Sequence, residues 1–158
     1  LSKRRDKRAT LLKTKGVRSG FEDQMQIWLK EKKIAYEYEK HTFHYFLKEK
    51  GVCLDCDGTN VYSSHAYTPD FYLPEYDIYI ETKGRFLGKD RTKHKAVKEF
   101  NPGLDIRIVF QRDDYLTKLR KTSYTKWCDS HDIPSFVRIL PAPTKNREEA
   151  FLPEDWLK

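Results

Sequence analysis

Residues 67–84, "YTPDFYLPEYDIYIETKG", place Asp70 directly after Pro69 and then Glu81 and Lys83 in a Glu-Thr-Lys run. Carboxylates and ammoniums are costly to take out of water, so charges set at the ends of apolar, strand-like runs call for a use. Side chains alternate along a strand, which puts Glu81 and Lys83 on one face and Ile78 and Ile80 on the other. Asp70, on the adjoining strand, brings a second carboxylate to the same sheet edge. Hard oxygen donors suit Mg²⁺, with Mn²⁺ able to substitute. Such an ion activates a water and neutralises charge on a phosphodiester, and a nearby ammonium stabilises the charge that develops. A lone Glu-x-Lys reads as an exposed ion pair worth little; the preceding Pro-Asp at strand spacing favours a metal site.

Glu22 admits two readings. Ser19-x-x-Glu22 is a capping box, in which the glutamate satisfies a backbone N–H at a helix start. As a third acid it would instead allow a second metal ion, one serving the nucleophile and one the leaving oxygen.

The elements that must position these groups follow from periodicity. In "RSGFEDQMQIWLKEKK", Phe21, Met25, Trp28 and Leu29 share one helical stripe. "IAYEYEK" and "HTFHYF" read as strand-like, and "KEKGVCLDCDGTNVYSSH" as a polar excursion. "TPDFYLP" and "YDIYIETK" are consecutive strands turning at Pro74-Glu75. "GKDRTKHKAVKEF" is a basic helix closed by Asn101-Pro102-Gly103, "LDIRIVF" a strand, and "SYTKWCDSHDI" a helix with Tyr124, Trp127, Cys128 and His131 on one side. The expected class is α/β, a central mixed sheet flanked by helices. Three stretches divide the chain: a basic arm at 1–17, a body at 18–140 holding a Cys-containing insertion loop at 48–66, and an extended segment at 141–158 anchored by Trp156.

At 158 residues the chain is one domain's worth. Its net charge of +7 is concentrated, since residues 1–18 hold eight Lys/Arg against Asp6 alone. A cationic arm on a neutral body suits a polyanion, because basic side chains along a phosphate backbone release condensed counterions; a solubilising terminus is the competing reading. Candidate DNA contacts are Arg4, Arg5, Lys7, Arg8, Lys13, Lys15 and Arg18 in the arm, and Lys89, Arg91, Lys93, His94 and Lys95 in the basic helix. Only Leu11 and Leu12 follow the basic start, too little for a signal peptide, and nothing approaches a membrane span. Three cysteines fit a reducing cytoplasm better than a disulfide framework.

"RSGFEDQ", "YTPDFYLP", "ETKG", "DRTKHKAVKE" and "LDIRIVF", in that order, resemble the phage endonuclease I family, the four-way-junction resolvases of short-tailed coliphages, from about residue 15 to about residue 140. The resemblance implies the PD-(D/E)XK restriction-endonuclease-like fold and a segment-exchanged homodimer acting on branched DNA in the host cytoplasm, with no small-molecule cofactor. It implies that Glu22, Asp70 and Glu81 match the metal-binding acids, Asp70 bridging two ions, with Lys83 the catalytic lysine and the Thr82 carbonyl a further ligand. It favours the metal role for Glu22, supplied by one chain to a site completed by its partner. His65 also matches a family position, at the edge of the site.

The stretch between "EYEK" and "YTPDF" is longer than the family pattern and contains Cys53 and Cys56, a zinc half-site. A structural zinc needs four ligands; His41, His44 or His65, or a second chain, would have to supply the rest, and two free thiols are the plainer alternative. Two other functions compete with junction resolution: a restriction- or repair-type nuclease on linear duplex, and a junction-binding protein without catalysis.

Overall fold

The structure, a computed structural model, describes residues 20–49, 51, 61–141 and 148–158. The first helix, α1 (Gly20–Glu31), buries Phe21, Met25, Trp28 and Leu29, the stripe expected from their spacing. Its acids Glu22 and Asp23 fall in the first turn and Lys30 in the last, each at the end its charge favours. Ser19 lies outside the described residues, so the capping-box partner of Glu22 is not seen.

After α1 come β1 (Glu37–Tyr38), β2 (Phe43–Glu49), β3 (Val61–Tyr67), β4 (Phe71–Leu73), β5 (Ile78–Lys83), α2 (Gly88–Phe100), β6 (Ile106–Phe110), α3 (Tyr124–Asp129), β7 (Ser135–Val137) and a closing 3₁₀ turn at Glu154–Leu157. The main sheet runs β1-β4-β5-β6-β7, and β2-β3 form a separate hairpin. Pairing is antiparallel from β1 to β5 and parallel from β5 to β7. The mixed α/β expectation is met: α2 carries the chain from β5 to the parallel strand β6, the crossover a parallel pair requires.

Ile78, Ile80 and Val109 face a core formed with α1, Phe151, Leu152 and Trp156. On the other side, Ile108 and Phe110 pack with Phe86, Tyr124, Cys128 and Ile133, while Tyr45 and Tyr67 of the hairpin meet Ala96 and Val97 of α2. The sheet is thus covered on both faces, which is why β5 reads as nearly continuously buried.

Three expectations change, and one falls outside the described residues. The excursion at 48–66 contains the end of β2 and most of β3, whose burial alternates along "VYSSHAY"; small polar residues give such a one-sided strand a weak apolar signal. The Cys53–Cys56 pair lies outside the described residues, so the zinc half-site has no structural account. A seventh strand, β7, was absent from the sequence pattern because three residues are too few to show a period. Helix α3 ends at Asp129, so His131 sits beyond it, stacked on Trp127 with ring centroids 4.0 Å apart. Residues 148–158, the described part of the C-terminal segment beyond Pro141, pack on the body: Trp156 is buried, and Phe151 and Leu152 complete the core against α1.

Candidate active site

The β4–β5 register pairs Phe71 with Ile80, Tyr72 with Tyr79 and Leu73 with Ile78. The same diagonal continued one step sets Asp70 across from Glu81, so the eleven-residue interval in sequence becomes a short distance in space. Glu81 is 2% exposed. Lys83 Nζ donates to its Oε1 at 2.6 Å, and Lys93 Nζ of α2 donates to the same oxygen at 3.3 Å. Tyr67 Oη, at the end of β3, donates to Oε2 at 2.9 Å. Burial alone would raise the Glu81 pKa, but the ammoniums of Lys83 and Lys93 outweigh it and hold the carboxyl below the usual range.

Asp70 differs. Its Oδ2 accepts from the Thr82 amide and the Thr82 hydroxyl, both at 2.7 Å. Burial, followed by repulsion from Glu81, pushes its pKa up to about 7 against the lowering effect of those two bonds, with Glu22 raising it further. Glu22 therefore lies within electrostatic reach of Asp70 in a single chain, where it accepts a hydrogen bond from Tyr38 Oη at 2.8 Å. Burial and Glu22 together push the Tyr38 phenol upward.

Lys83 is tied to Glu81 and stands 3.9 Å from Asp90 Oδ1. Burial works to discharge it, but Glu81 and Asp70 prevail and its pKa is raised. It is an ammonium here, suited to donating to developing negative charge rather than to abstracting a proton.

The structure thus brings together Asp70, Glu81, Thr82 and Lys83, with Glu22 within electrostatic reach of Asp70. Sequence reasoning missed two members of the group, Tyr67 and the inward role of Lys93. Tyr67 lies three residues before Asp70 and ends the buried alternation of β3, a signal open to a reading that recognised the strand. His94, expected among the DNA contacts, is 3% exposed and faces Glu81 from 3.9 Å, which removes it from any surface. It shares the buried stripe of α2 with Ala96 and Val97, a spacing visible in the sequence. Desolvation brings its pKa down to about 4, so the ring is neutral.

Of the other candidates, Lys89 and Lys95 are exposed. Arg91 Nη1 donates to the Phe86 carbonyl at 2.8 Å. Lys98 Nζ donates to the carbonyls of His131 and Asp132, tying α2 to the loop after α3. His65 shares the face of Tyr67 two residues earlier, but its Nε2 bonds Ser63 Oγ at 2.7 Å rather than a site carboxylate. Arg4, Arg5, Lys7, Arg8, Lys13, Lys15 and Arg18 lie outside the described residues.

Among the described residues no three His, Cys, Asp or Glu side chains are already gathered into a metal-holding group. The donor chemistry nevertheless fits a hard divalent cation. Asp70 is a carboxylate pushed toward protonation first by burial and then by repulsion from Glu81 and, more weakly, Glu22. A cation brought to Asp70 would relieve both its repulsion and its lost hydration.

A family model described as phage endonuclease I matches residues 4–158. The chain is 38% identical over 149 residues to Endonuclease I of Escherichia phage T7, covering 92% of this chain and 89% of that protein. It is 36% identical over 145 residues to Endodeoxyribonuclease 1 of Enterobacteria phage T3, covering 91% and 86%.

Proposed function

The chain belongs to the phage endonuclease I family and is a DNA-cleaving hydrolase; from that premise we propose a metal-dependent, structure-selective endonuclease of the PD-(D/E)XK type that resolves four-way (Holliday) junctions and other branched DNA. The observation that carries the site assignment is the convergence of Asp70, Glu81 and Lys83 where β4 begins and β5 ends, with Glu22 within electrostatic reach. Asp70, Glu81, Glu22 and the Thr82 carbonyl would hold Mg²⁺ or Mn²⁺, two ions where all engage. When bound, the metal supplies an activated water and neutralises phosphate charge.

The chain's own groups do the rest. Lys83 donates to the oxygen that gains charge as water adds to phosphorus and one P–O ester bond breaks. Tyr67, with its hydroxyl on Glu81, holds that carboxylate in a single orientation. Exposed Lys89 and Lys95 on the outer side of α2 contact phosphates, which position a duplex without reading its sequence.

Selectivity for branched DNA then rests on the shape of a homodimer whose two sites nick two strands within one bound lifetime. Exchange of segments between subunits belongs to the same proposal. Within one chain Glu22 is in electrostatic reach of Asp70, so closed and exchanged arrangements would differ in which chain supplies Glu22.

A cleavage assay tests the reading: a synthetic four-way junction and a linear duplex at matched salt, in Mg²⁺, Mn²⁺ or EDTA. Junction cleavage in either metal and none in EDTA is expected. Binding without cleavage would make the protein architectural, and equal nicking of the linear duplex would make it a restriction- or repair-type nuclease.

A further inference from the structure

Glu81 carries a cation that the strand motif does not account for. Lys93 reaches from α2 to the same oxygen that Lys83 holds, with Nζ 3.3 Å from Oε1 against 2.6 Å for Lys83. Its ammonium also lies over the Tyr67 ring, 4.9 Å from the centroid. Tyr67 occupies Oε2, and His94 Nε2 stands 3.9 Å from Oε1 without a hydrogen-bond partner. The carboxylate is therefore enclosed by groups of its own chain. A divalent cation that takes Oε1 of Glu81 as a ligand must compete with two ammoniums for that oxygen.

The two lysines are not equivalent. Lys83 is fixed by strand β5 beside the carboxylate it serves. Lys93 sits on a helix, 24% exposed, at the end of a flexible four-carbon stem that can turn toward solvent without disturbing the sheet. We propose that Lys93 is the internal counter-ion of the metal-free site: it holds Glu81 until a divalent cation displaces it, and so sets the metal affinity of the enzyme. This is a positioning role, exerted through Glu81, and it rests on the metal-dependent reading above.

The test is Mn²⁺ binding by the full chain without DNA, at fixed pH and ionic strength, followed by the electron paramagnetic resonance signal of free Mn²⁺. Lys93→Gln removes the competing charge and is expected to bind Mn²⁺ about tenfold more tightly, equivalent to ~1.4 kcal/mol, while Lys93→Arg stays near wild type. Removal of a purely structural side chain would loosen the site instead. Lys93→Met keeps the apolar stem against Tyr67 and is judged by the same criterion if Lys93→Gln fails to fold. Binding equal to or weaker than wild type in a neutral variant with native circular dichroism overturns the proposal and leaves the metal-dependent reading standing. No Mn²⁺ binding by wild type or any variant removes both.

Discussion

Around Glu81 the protein supplies two ammoniums and a phenol; around Asp70, across the same strand ladder, it supplies a threonine and two more carboxylates. Desolvation pushes both acids the same way, toward the neutral form. Neighbours decide the outcome, since Glu81 ends below the usual carboxylate range and Asp70 rises to about 7. One half of the site is neutralised from within, while the other half gathers carboxylates whose repulsion a proton or an external cation relieves. The asymmetry separates a half that keeps its shape unaided from a half whose character depends on what binds there.

The largest effect that sharpens this contrast is expected from the cationic half. Lys83→Ala should lower single-turnover cleavage of a four-way junction by about 10³-fold, with gel-shift affinity for the junction little changed. Retained cleavage in Mg²⁺ would take Lys83 out of the mechanism.

The acidic half should respond in the opposite sense, gaining stability as it loses function. Because the folded Asp70 pKa is raised from 3.8 to about 7, the folded state binds the proton more tightly than the unfolded chain. Its ionisation therefore takes away stability as pH climbs between those values. Asp70→Asn, which keeps an oxygen to accept from Thr82, should stabilise the metal-free protein at pH 8 by on the order of 2 kcal/mol. That gain should shrink toward pH 4. Thermal unfolding in EDTA at the two pH values measures it, and an equal gain at both would refute the electrostatic cause.

A smaller effect is expected where the hairpin meets Glu81. Tyr67→Phe leaves Oε2 of a buried carboxylate without its donor and should cost ~1–2 kcal/mol, read by urea denaturation. The smallest effect concerns burial with no cation at all. Cys128 lies among Phe110, Tyr124 and Ile133, and burial pushes its thiol up to about 12, as it pushes Asp70 up. Iodoacetamide at pH 8 should leave Cys128 unmodified in the native protein and alkylate it in urea; mass spectrometry distinguishes the two.

The parts of this molecule that were legible in the sequence are those decided by neighbours along the chain. The stripe of Phe21, Met25, Trp28 and Leu29 predicts α1 because a 3.6-residue period must point one way. The two runs around Pro74 predict a hairpin, and the hairpin register carries Asp70 to Glu81 and Lys83 with no further information. The strand β3 escaped notice because polar residues occupy both of its faces, Ser64 the exposed one and Ser63 and His65 the half-buried one, and β7 because its pairing with β6 alone defines it.

Asp70, Glu81 and Lys83 were thus determined by sequence, through alternation along one strand and the turn that folds its neighbour back on it. Only the tertiary structure decided that Lys93 and His94 turn inward, that Tyr67 caps Glu81, that Glu22 comes within reach of Asp70, and that Phe151 and Leu152 close the core. A helix period says which residues share a face but not what that face will meet; that depends on how α1, α2 and the hairpin pack against the sheet, and packing is settled by contacts between segments far apart in the chain.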